Sequence, residues 1–270
     1  MITSTHNRHV RYCRSLHRSR TRRQERAFLV EGIRLTREVL DADASPALAL
    51  YDPEALKRHP EGQEILRRLE DMPQAFAATP TVIEAAAETQ SPAGVVLVLP
   101  EPEPPDPSLL EAQDVALFLD GIADAGNAGT ILRTAVATGL QAVIFVRPAV
   151  DPYSGKTVRS GMGAHFRLAV LEIEAGELQA MLHGFDQVLA ADPKAEMTFL
   201  EVDWGKRTAI VIGSEAHGIR PEVQPSLTTS VRIPMATGVE SLNAAVVAAI
   251  LLYEARRPFL SVGPPFPGRS

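Results

Sequence analysis

The second half of the chain contains short runs of consecutive apolar residues, separated by turn-forming or helical sequence. These runs lie at residues 115–119, 142–146, 188–191, 209–212 and 230–233. Because polar residues do not alternate with apolar ones inside them, both faces of each predicted strand should be buried. Buried strands of this kind, joined by helices, predict an α/β fold with a parallel sheet.

A second, smaller alternation precedes these runs. Three helical patterns alternate with three apolar runs, at residues 33–40, 48–51, 63–69, 74–78, 81–87 and 94–99. The segment 99–108, LPEPEPPDPS, follows them, and its five prolines favour extended structure. We therefore predict a small α/β domain over residues 1–98, a proline-rich linker over 99–113 and a parallel-sheet domain over 114–262.

The last predicted helix covers residues 242–257, and apolar residues surround it on nearly all sides. Such a helix needs partners on more than one side, either in the core or at an interface between two copies of the chain. Pro258 should end it, because proline lacks the backbone N–H that a helix requires.

Composition narrows the class of protein. The chain has 270 residues, 45% of them hydrophobic, and its single cysteine, Cys13, excludes a disulfide framework and a multi-cysteine metal site. The seven histidines show no metal-binding spacing, so we expect no metal. The longest apolar run, residues 244–253, is too short to span a bilayer. We expect a cytoplasmic protein without a membrane segment.

Charge is distributed unevenly along the chain. The formal net charge is −6, yet residues 1–37 hold ten arginines and only two acidic residues. We interpret this segment as a basic arm that binds the phosphates of a nucleic acid through guanidinium groups, and a solvated basic tail is the alternative. The candidate phosphate-binding residues are Arg8, Arg11, Arg14, Arg18, Arg22 and Arg23.

Three loops follow predicted strands, at the positions where α/β proteins bind ligands. They cover residues 120–133, 213–219 and 233–243. The first holds Asn127, a candidate helix cap, and Arg133 within about two turns of it, but no dinucleotide-binding glycine pattern. In the third, Ser241 is a candidate N-cap and Asn243 a candidate first-turn residue. Each loop alone is explained equally well as a turn that ends a strand, and their combination favours a ligand site.

The sequence SGKT at 154–157 is similar to the end of a phosphate-binding loop. Val150 occupies the position of the required glycine, and no helical pattern follows. We therefore do not predict a nucleoside triphosphatase.

In this order and spacing, the three loops resemble the signature motifs of SpoU-type (TrmH-type) RNA ribose 2′-O-methyltransferases of the SPOUT superfamily. The matching sequences are DGIADAGNAGTILRTA, VIGSEAHGI and RIPMATGVESLNAAVVAAILLYEARR. The resemblance extends to DPYS at 151–154, to VRSGMG at 158–163 and to FLVEG at 28–32, which is similar to the family's ribosomal-protein-like RNA-binding domain. It implies a catalytic domain with a C-terminal trefoil knot, an exception to the rule that chains do not thread loops.

The resemblance also implies a cofactor and a site. S-adenosylmethionine would be held largely by backbone groups of Gly213, Ile233, Met235 and Leu242. The implied catalytic residues are Arg133, Asn127, Glu215, Ser241 and Asn243. Arg133 is assigned to drawing the proton from the ribose 2′-hydroxyl. Since a guanidinium stays protonated near neutral pH, clamping a phosphate and stabilising the developing alkoxide is its alternative role. The final helix is the implied homodimer interface.

Two positions depart from the family pattern, namely Ala125, where many relatives have proline, and Thr237, where glycine is usual. The N-terminal domain favours ribosomal RNA as the substrate, because relatives that act on transfer RNA commonly lack it. A transfer RNA 2′-O-methyltransferase and a non-catalytic RNA-binding or ribosome assembly factor are the alternatives, and the presence of Arg133, Glu215 and Asn243 argues against the second. An oxidoreductase would need the absent glycine pattern.

Overall fold

The computed structural model describes residues 1–103, 109, 113–214 and 216–260, with only the backbone for 259 and 260. Ten strands and ten α-helices have defined first and last residues within these ranges. The strands are β1 (Ala27–Glu31), β2 (Leu48–Tyr51), β3 (Ala75–Ala77), β4 (Val95–Pro100), β5 (Val115–Asp120), β6 (Ala142–Arg147), β7 (Ala169–Glu174), β8 (Gln187–Ala191), β9 (Thr208–Gly213) and β10 (Thr229–Val231). The helices are α1 (Arg8–Ser15), α2 (Ser19–Glu25), α3 (Ile33–Asp41), α4 (Pro53–Lys57), α5 (Gly62–Glu70), α6 (Pro80–Ala86), α7 (Ala125–Ala137), α8 (Gly155–Gly161), α9 (Leu178–Leu182) and α10 (Ala244–Leu260). Within these ranges, no helix is both long enough and apolar enough to cross a membrane.

Two compact units divide the chain. The first contains Met1–Glu103 and Tyr153–Phe166, and the second contains Pro104–Pro152 and Arg167–Ser270. The sequence predicts one division only, in the linker, so the membership of Tyr153–Phe166 in the first unit is a difference from that prediction. The functional division of the chain at residues 99–113 stays a prediction, and much of that linker lies outside the described residues.

A four-stranded sheet in the order β1-β4-β2-β3 forms the centre of the first unit. β4 is antiparallel to β1 and β2, whereas β2 and β3 are parallel. Both faces of β2 and β4 are buried, which is why their sequences are apolar without alternation. The sequence pattern does not predict β1, because this strand lies inside the arginine-rich segment.

The arginine-rich segment, residues 1–37, folds into α1, α2, β1 and the start of α3 and is not a solvated tail. Val10, Cys13 and Leu16 belong to the apolar core of the first unit, together with residues of β2, β4 and α6. Burial raises the pKa of the Cys13 thiol to about 12, so the thiolate that reacts with oxidants is scarce near neutral pH. The exposed arginines are therefore presented from a folded support.

Arg22 differs from the other candidate RNA-binding arginines. It is only 5% exposed, and its Nη1 donates hydrogen bonds to the carbonyl oxygens of Leu16, at 2.7 Å, and His17, at 3.0 Å. A guanidinium in these contacts stabilises the turn between α1 and α2, so the structure does not support Arg22 as an RNA ligand. The remaining candidates are exposed, and they are Arg8, Arg11, Arg14, Arg18 and Arg23.

An aromatic cluster accounts for the place of Tyr153–Phe166 in the first unit. Phe28 of β1 is fully buried, and its ring centroid lies 5.0 Å from that of Tyr153 and 6.3 Å from that of Phe166. The segment also contains α8, with Ser154 as N-cap, so the expectation that no helix follows SGKT is wrong. The glycine of a phosphate-binding loop is nevertheless missing at Val150.

Six parallel strands form the sheet of the second unit, in the order β10-β8-β9-β5-β6-β7. This confirms the predicted α/β fold with a parallel sheet. The central strands β5, β6 and β9 are buried along nearly their whole length. The sequence pattern does not predict β7, because this edge strand is mostly half-exposed and carries two glutamates.

The last helix, α10, packs against α7 and β9. It begins two residues later than predicted, and it continues through Pro258 to Leu260, so the expectation that Pro258 ends it is wrong. The later start has a local cause, because Asn243 caps the helix.

Candidate functional site

A cavity of about 970 Å³ lies at the carboxyl ends of β8, β9 and β10. Its walls are the segment that follows β8, the loop that follows β9, and the chain between β10 and the first turns of α10. Because parallel strands end at the same edge of a sheet, these connections converge there. The second and third loops singled out in the sequence therefore share one cavity.

All four predicted cofactor residues line this cavity, and so do two of the predicted catalytic residues. They are Gly213, Ile233, Met235, Leu242, Ser241 and Asn243. The rest of the lining combines apolar side chains, such as Ile212 and Val247, with polar groups. A ligand with an apolar ring and several hydrogen-bonding groups matches this mixture.

The loop after β9 needs glycine at two positions. A Cβ on Gly213 would lie 2.6 Å from the backbone nitrogen of Ile219 and closer still to Gly218. Gly218 has φ +66°, the left-handed region that favours glycine. Ser214 and Gly218 exchange backbone hydrogen bonds of 3.1 and 2.9 Å, which closes the loop into a tight turn.

A hydrogen bond between two asparagines connects the first loop with the third. Asn243 Nδ2 donates to Asn127 Oδ1 at 2.9 Å, and Asn243 Oδ1 accepts from the backbone nitrogen of Ala245 at 2.9 Å. Asn243, rather than Ser241, is thus the cap of α10. Asp124 accepts from the backbone nitrogen of Asn127 at 2.8 Å, so Asp124 caps α7 and the side chain of Asn127 bonds Asn243 instead.

Arg133 lies on α7 and is exposed, and it is not among the described residues that line the cavity. Glu215 falls outside the described residues. Of the five predicted catalytic residues, the structure therefore brings three together, namely Asn127, Ser241 and Asn243, and leaves Arg133 on an exposed helix surface.

Several residues of this region escape the sequence-based prediction. Asp192 and Lys194, after β8, line the cavity, and Asp192 Oδ1 accepts from the backbone nitrogen of Lys194 at 2.8 Å. Asp120, at the end of β5, pairs with Arg220, directly after the second loop. The sequence signal for this ion pair was the aspartate at the end of the apolar run VALFLD. A carboxylate that is buried at the end of a strand requires a partner.

Metal-ligand groupings are absent from the part of the chain that the structure describes. No three or more His, Cys, Asp or Glu side chains come close enough there to hold an ion. Among the described residues that line the cavity, Asp192 is the acidic residue and Lys194 is the lysine.

Two protein families match most of the chain. Residues 114–253 match the SpoU rRNA Methylase family, and residues 7–97 match the MRM3-like substrate binding domain. The first match contains all three loops, and the second contains the arginine-rich helices and the sheet of the first unit up to the middle of β4.

Individual relatives are similar over nearly the full length. An uncharacterized tRNA/rRNA methyltransferase of Synechocystis is 33% identical, with 95% of this chain and 93% of the relative covered. The 23S rRNA (guanosine(2553)-2′-O)-methyltransferase RlmP of Bacillus subtilis is 30% identical, with 94% and 98% covered. The crystal structure of an S-adenosylmethionine-bound rRNA methyltransferase from Sinorhizobium meliloti superimposes with a TM-score of 0.83 at 27% identity, covering 96% of this chain and 98% of that one.

The tight turn after β9 predicts the effect of Gly213→Ala. We expect a loss of about 1–3 kcal/mol in the free energy of unfolding, the usual cost of overpacking, and weaker binding of S-adenosylhomocysteine because the cavity wall must shift. Thermal unfolding and titration calorimetry measure the two effects. Gly176→Ala is the control, since a Cβ there meets nothing within 4 Å. Equal affinities for the two variants would contradict this account.

Proposed function

Because the chain belongs to the SpoU rRNA methylase family, it is an S-adenosylmethionine-dependent 2′-O-ribose methyltransferase of ribosomal RNA, and we propose that it modifies a nucleotide of the large-subunit RNA. The observation that carries the methyltransferase assignment is the cavity that the second and third motif loops share. The hydrogen bond between Asn127 and Asn243 joins the first motif loop to the third. The Bacillus relative acts on 23S rRNA, which supports the large subunit. We place the reaction in the cytoplasm, where a lone cysteine stays reduced.

The cavity fits S-adenosylmethionine. Its volume of about 970 Å³ falls within the usual range for small-molecule sites, which is roughly 300–1,000 Å³. The close approach of backbone at Gly213 leaves peptide groups, rather than side chains, at that part of the wall. Gly213, Ile233, Met235 and Leu242 would hold the cofactor, and Ser241 and Asn243 lie at the same wall.

When bound, S-adenosylmethionine supplies the electrophilic methyl group that the ribose 2′-oxygen attacks. A ribose hydroxyl is a weak nucleophile until its proton leaves, so the protein must favour the alkoxide. We assign Arg133 to this role, as an exposed cation that clamps an RNA phosphate and stabilises the negative charge that develops on the 2′-oxygen while its proton passes to solvent water. Asn127 and Asn243 hold the starts of α7 and α10 together, which fixes the first and third loops. Glu215 and Ser241 keep the supporting roles implied by the family resemblance.

We further infer a trefoil knot at the carboxyl end of the chain. Support comes from family membership and from the position of α10, which packs on β9 in the middle of the sheet after the chain has formed the outer strand β10.

A homodimer through α10 also belongs to this proposal. One side of the helix is buried in the second unit, through residues such as Ala248 and Leu252. On the other side, Val246 is 46% exposed and Tyr253 is 51% exposed, and their spacing of seven residues places them two turns apart on one face. An apolar stripe of this kind matches the surface that a second copy would cover.

The first experiment follows the transfer of labelled methyl from S-adenosylmethionine to purified large-subunit RNA, with transfer RNA in parallel. We expect label in the ribosomal RNA that survives alkali as a 2′-O-methyl dinucleotide. Label in transfer RNA alone would overturn the proposed substrate.

Arg133→Ala should lower kcat by roughly 10²–10³-fold, the range for removing one group that stabilises a transition state. Affinity for S-adenosylhomocysteine should stay close to that of the wild type, because Arg133 is not among the described residues of the cavity. Arg257→Ala, another exposed arginine of the second unit, is the control. Loss of cofactor binding in calorimetry would count against the assignment.

Exposed arginines of α1 should contribute to RNA affinity through phosphate contacts. In a triple variant with Arg8, Arg11 and Arg14 changed to Gln, the slope of log affinity against log salt should fall by about 2, since each lost phosphate contact removes roughly 0.7–0.9. Filter binding at several salt concentrations gives the slope. The matched control changes Lys57, Arg67 and Arg68 to Gln, because all three are ion-paired in the first unit. A slope unchanged in the triple variant would refute the role of α1.

A charge on the exposed stripe of α10 should separate the proposed dimer. We expect the wild type to have about twice the 29.2 kDa mass of the chain in light scattering, and Val246→Glu with Tyr253→Glu to be monomeric. Lys206→Glu, an exposed residue outside α10, should remain dimeric. A monomeric wild type at micromolar concentration would eliminate this interface.

A further inference from the structure

A buried carboxylate lies beneath the loop that walls the cofactor cavity. Asp120 ends β5 and is 0% exposed, and an unpaired charge at such a place would be very unfavourable. Its partner is Arg220, whose Nε donates to Oδ1 at 2.6 Å and whose backbone nitrogen donates to Oδ2 at 2.8 Å. Both carboxylate oxygens are therefore held by one residue.

Arg220 also binds the neighbouring strand. Nη1 donates to the carbonyl oxygen of Arg147 at 2.8 Å, and Nη2 donates to that of Val146 at 3.3 Å. These carbonyls belong to the last two residues of β6. The planar guanidinium thus connects the ends of two adjacent strands, a geometry that the single ammonium of lysine could not reproduce.

The same contact closes the loop that follows β9, residues 213–219, here called the cofactor loop. It starts at Gly213, which is the register partner of Asp120 in the pairing of β5 with β9. It returns to Arg220, which is bonded to Asp120. Both ends of the cofactor loop are consequently anchored at one residue of β5, and Ser214, His217 and Gly218 between them line the cavity.

We propose that Arg220 is a positioning residue that, through Asp120, holds the cofactor loop in the place where it binds S-adenosylmethionine. This proposal rests on the proposed function of the cavity. Buried ion pairs contribute little net stability compared with apolar replacements, but their directional bonds fix where a segment lies. The pair therefore acts on cofactor affinity more than on folding.

The test compares variants that differ in how much of the contact they keep. Arg220→Met combined with Asp120→Asn removes both charges together, so no unpaired buried charge remains. Arg220→Lys keeps the cation but cannot reach the carboxylate and both carbonyls at once. Arg207→Met is the control, because Arg207 precedes β9 at its other end and is absent from the described lining of the cavity.

Steady-state methylation and calorimetry with S-adenosylhomocysteine give the readouts. For the double variant we expect KM for S-adenosylmethionine and Kd for S-adenosylhomocysteine to rise by about tenfold or more, with kcat at saturating cofactor within about twofold of wild type. Arg220→Lys should recover part of the affinity. Arg207→Met should leave both constants unchanged, whatever it does to the melting temperature.

The outcomes separate two failures. A purely structural role would lower the melting temperature or the active fraction, and hence kcat, while KM and Kd stay at the wild-type values, and this result would overturn the role of Arg220. A wild type that binds no S-adenosylhomocysteine would overturn the proposed function of the cavity, and the role of Arg220 with it.

Discussion

The pairing of β5 with β9 is the constraint on which the site depends. Both strands are buried on both faces, and their register places Asp120 beside Gly213 at the edge of the sheet. A slip by one residue would reverse the faces of every side chain in the strand and would move Asp120 away from Gly213. The first and second motif loops start side by side for this reason, although their first residues, Asp120 and Gly213, are 93 positions apart in the chain.

Close contact between backbone segments shapes the cavity more than the choice of side chains does. Gly213 and Gly218 permit a turn that any Cβ at the first position would block. The caps of α7 and α10 then bring Asn127 and Asn243 together, because each helix starts where a loop ends at the sheet edge. The geometry of the proposed catalytic site therefore depends on where these two helices begin.

The first unit exposes many arginine side chains close together on its helices. Exposed arginines repel one another, and the helices that carry them gain stability from their apolar sides, where Val10 and Cys13 join the core. Arg22 shows that the same residue type can instead satisfy backbone carbonyls at a turn. The aromatic contact of Phe28 with Tyr153 shows that the first unit also includes a segment distant in the chain.

The sequence alone determined the parallel sheet, the positions of most strands and the three loops, since continuous apolar runs and glycine-containing turns have direct local causes. The family resemblance supplied the predicted residues that line the cavity, and Asp192 and Lys194 were not among them. It missed β1 and β7, whose patterns are obscured by flanking arginines and by exposure at an edge. Only the tertiary structure decided which asparagine caps a helix, which arginine is buried, and which partner neutralises Asp120. These outcomes depend on contacts between residues far apart in the chain, such as Asp120 with Arg220 and Asn127 with Asn243, which no local pattern encodes.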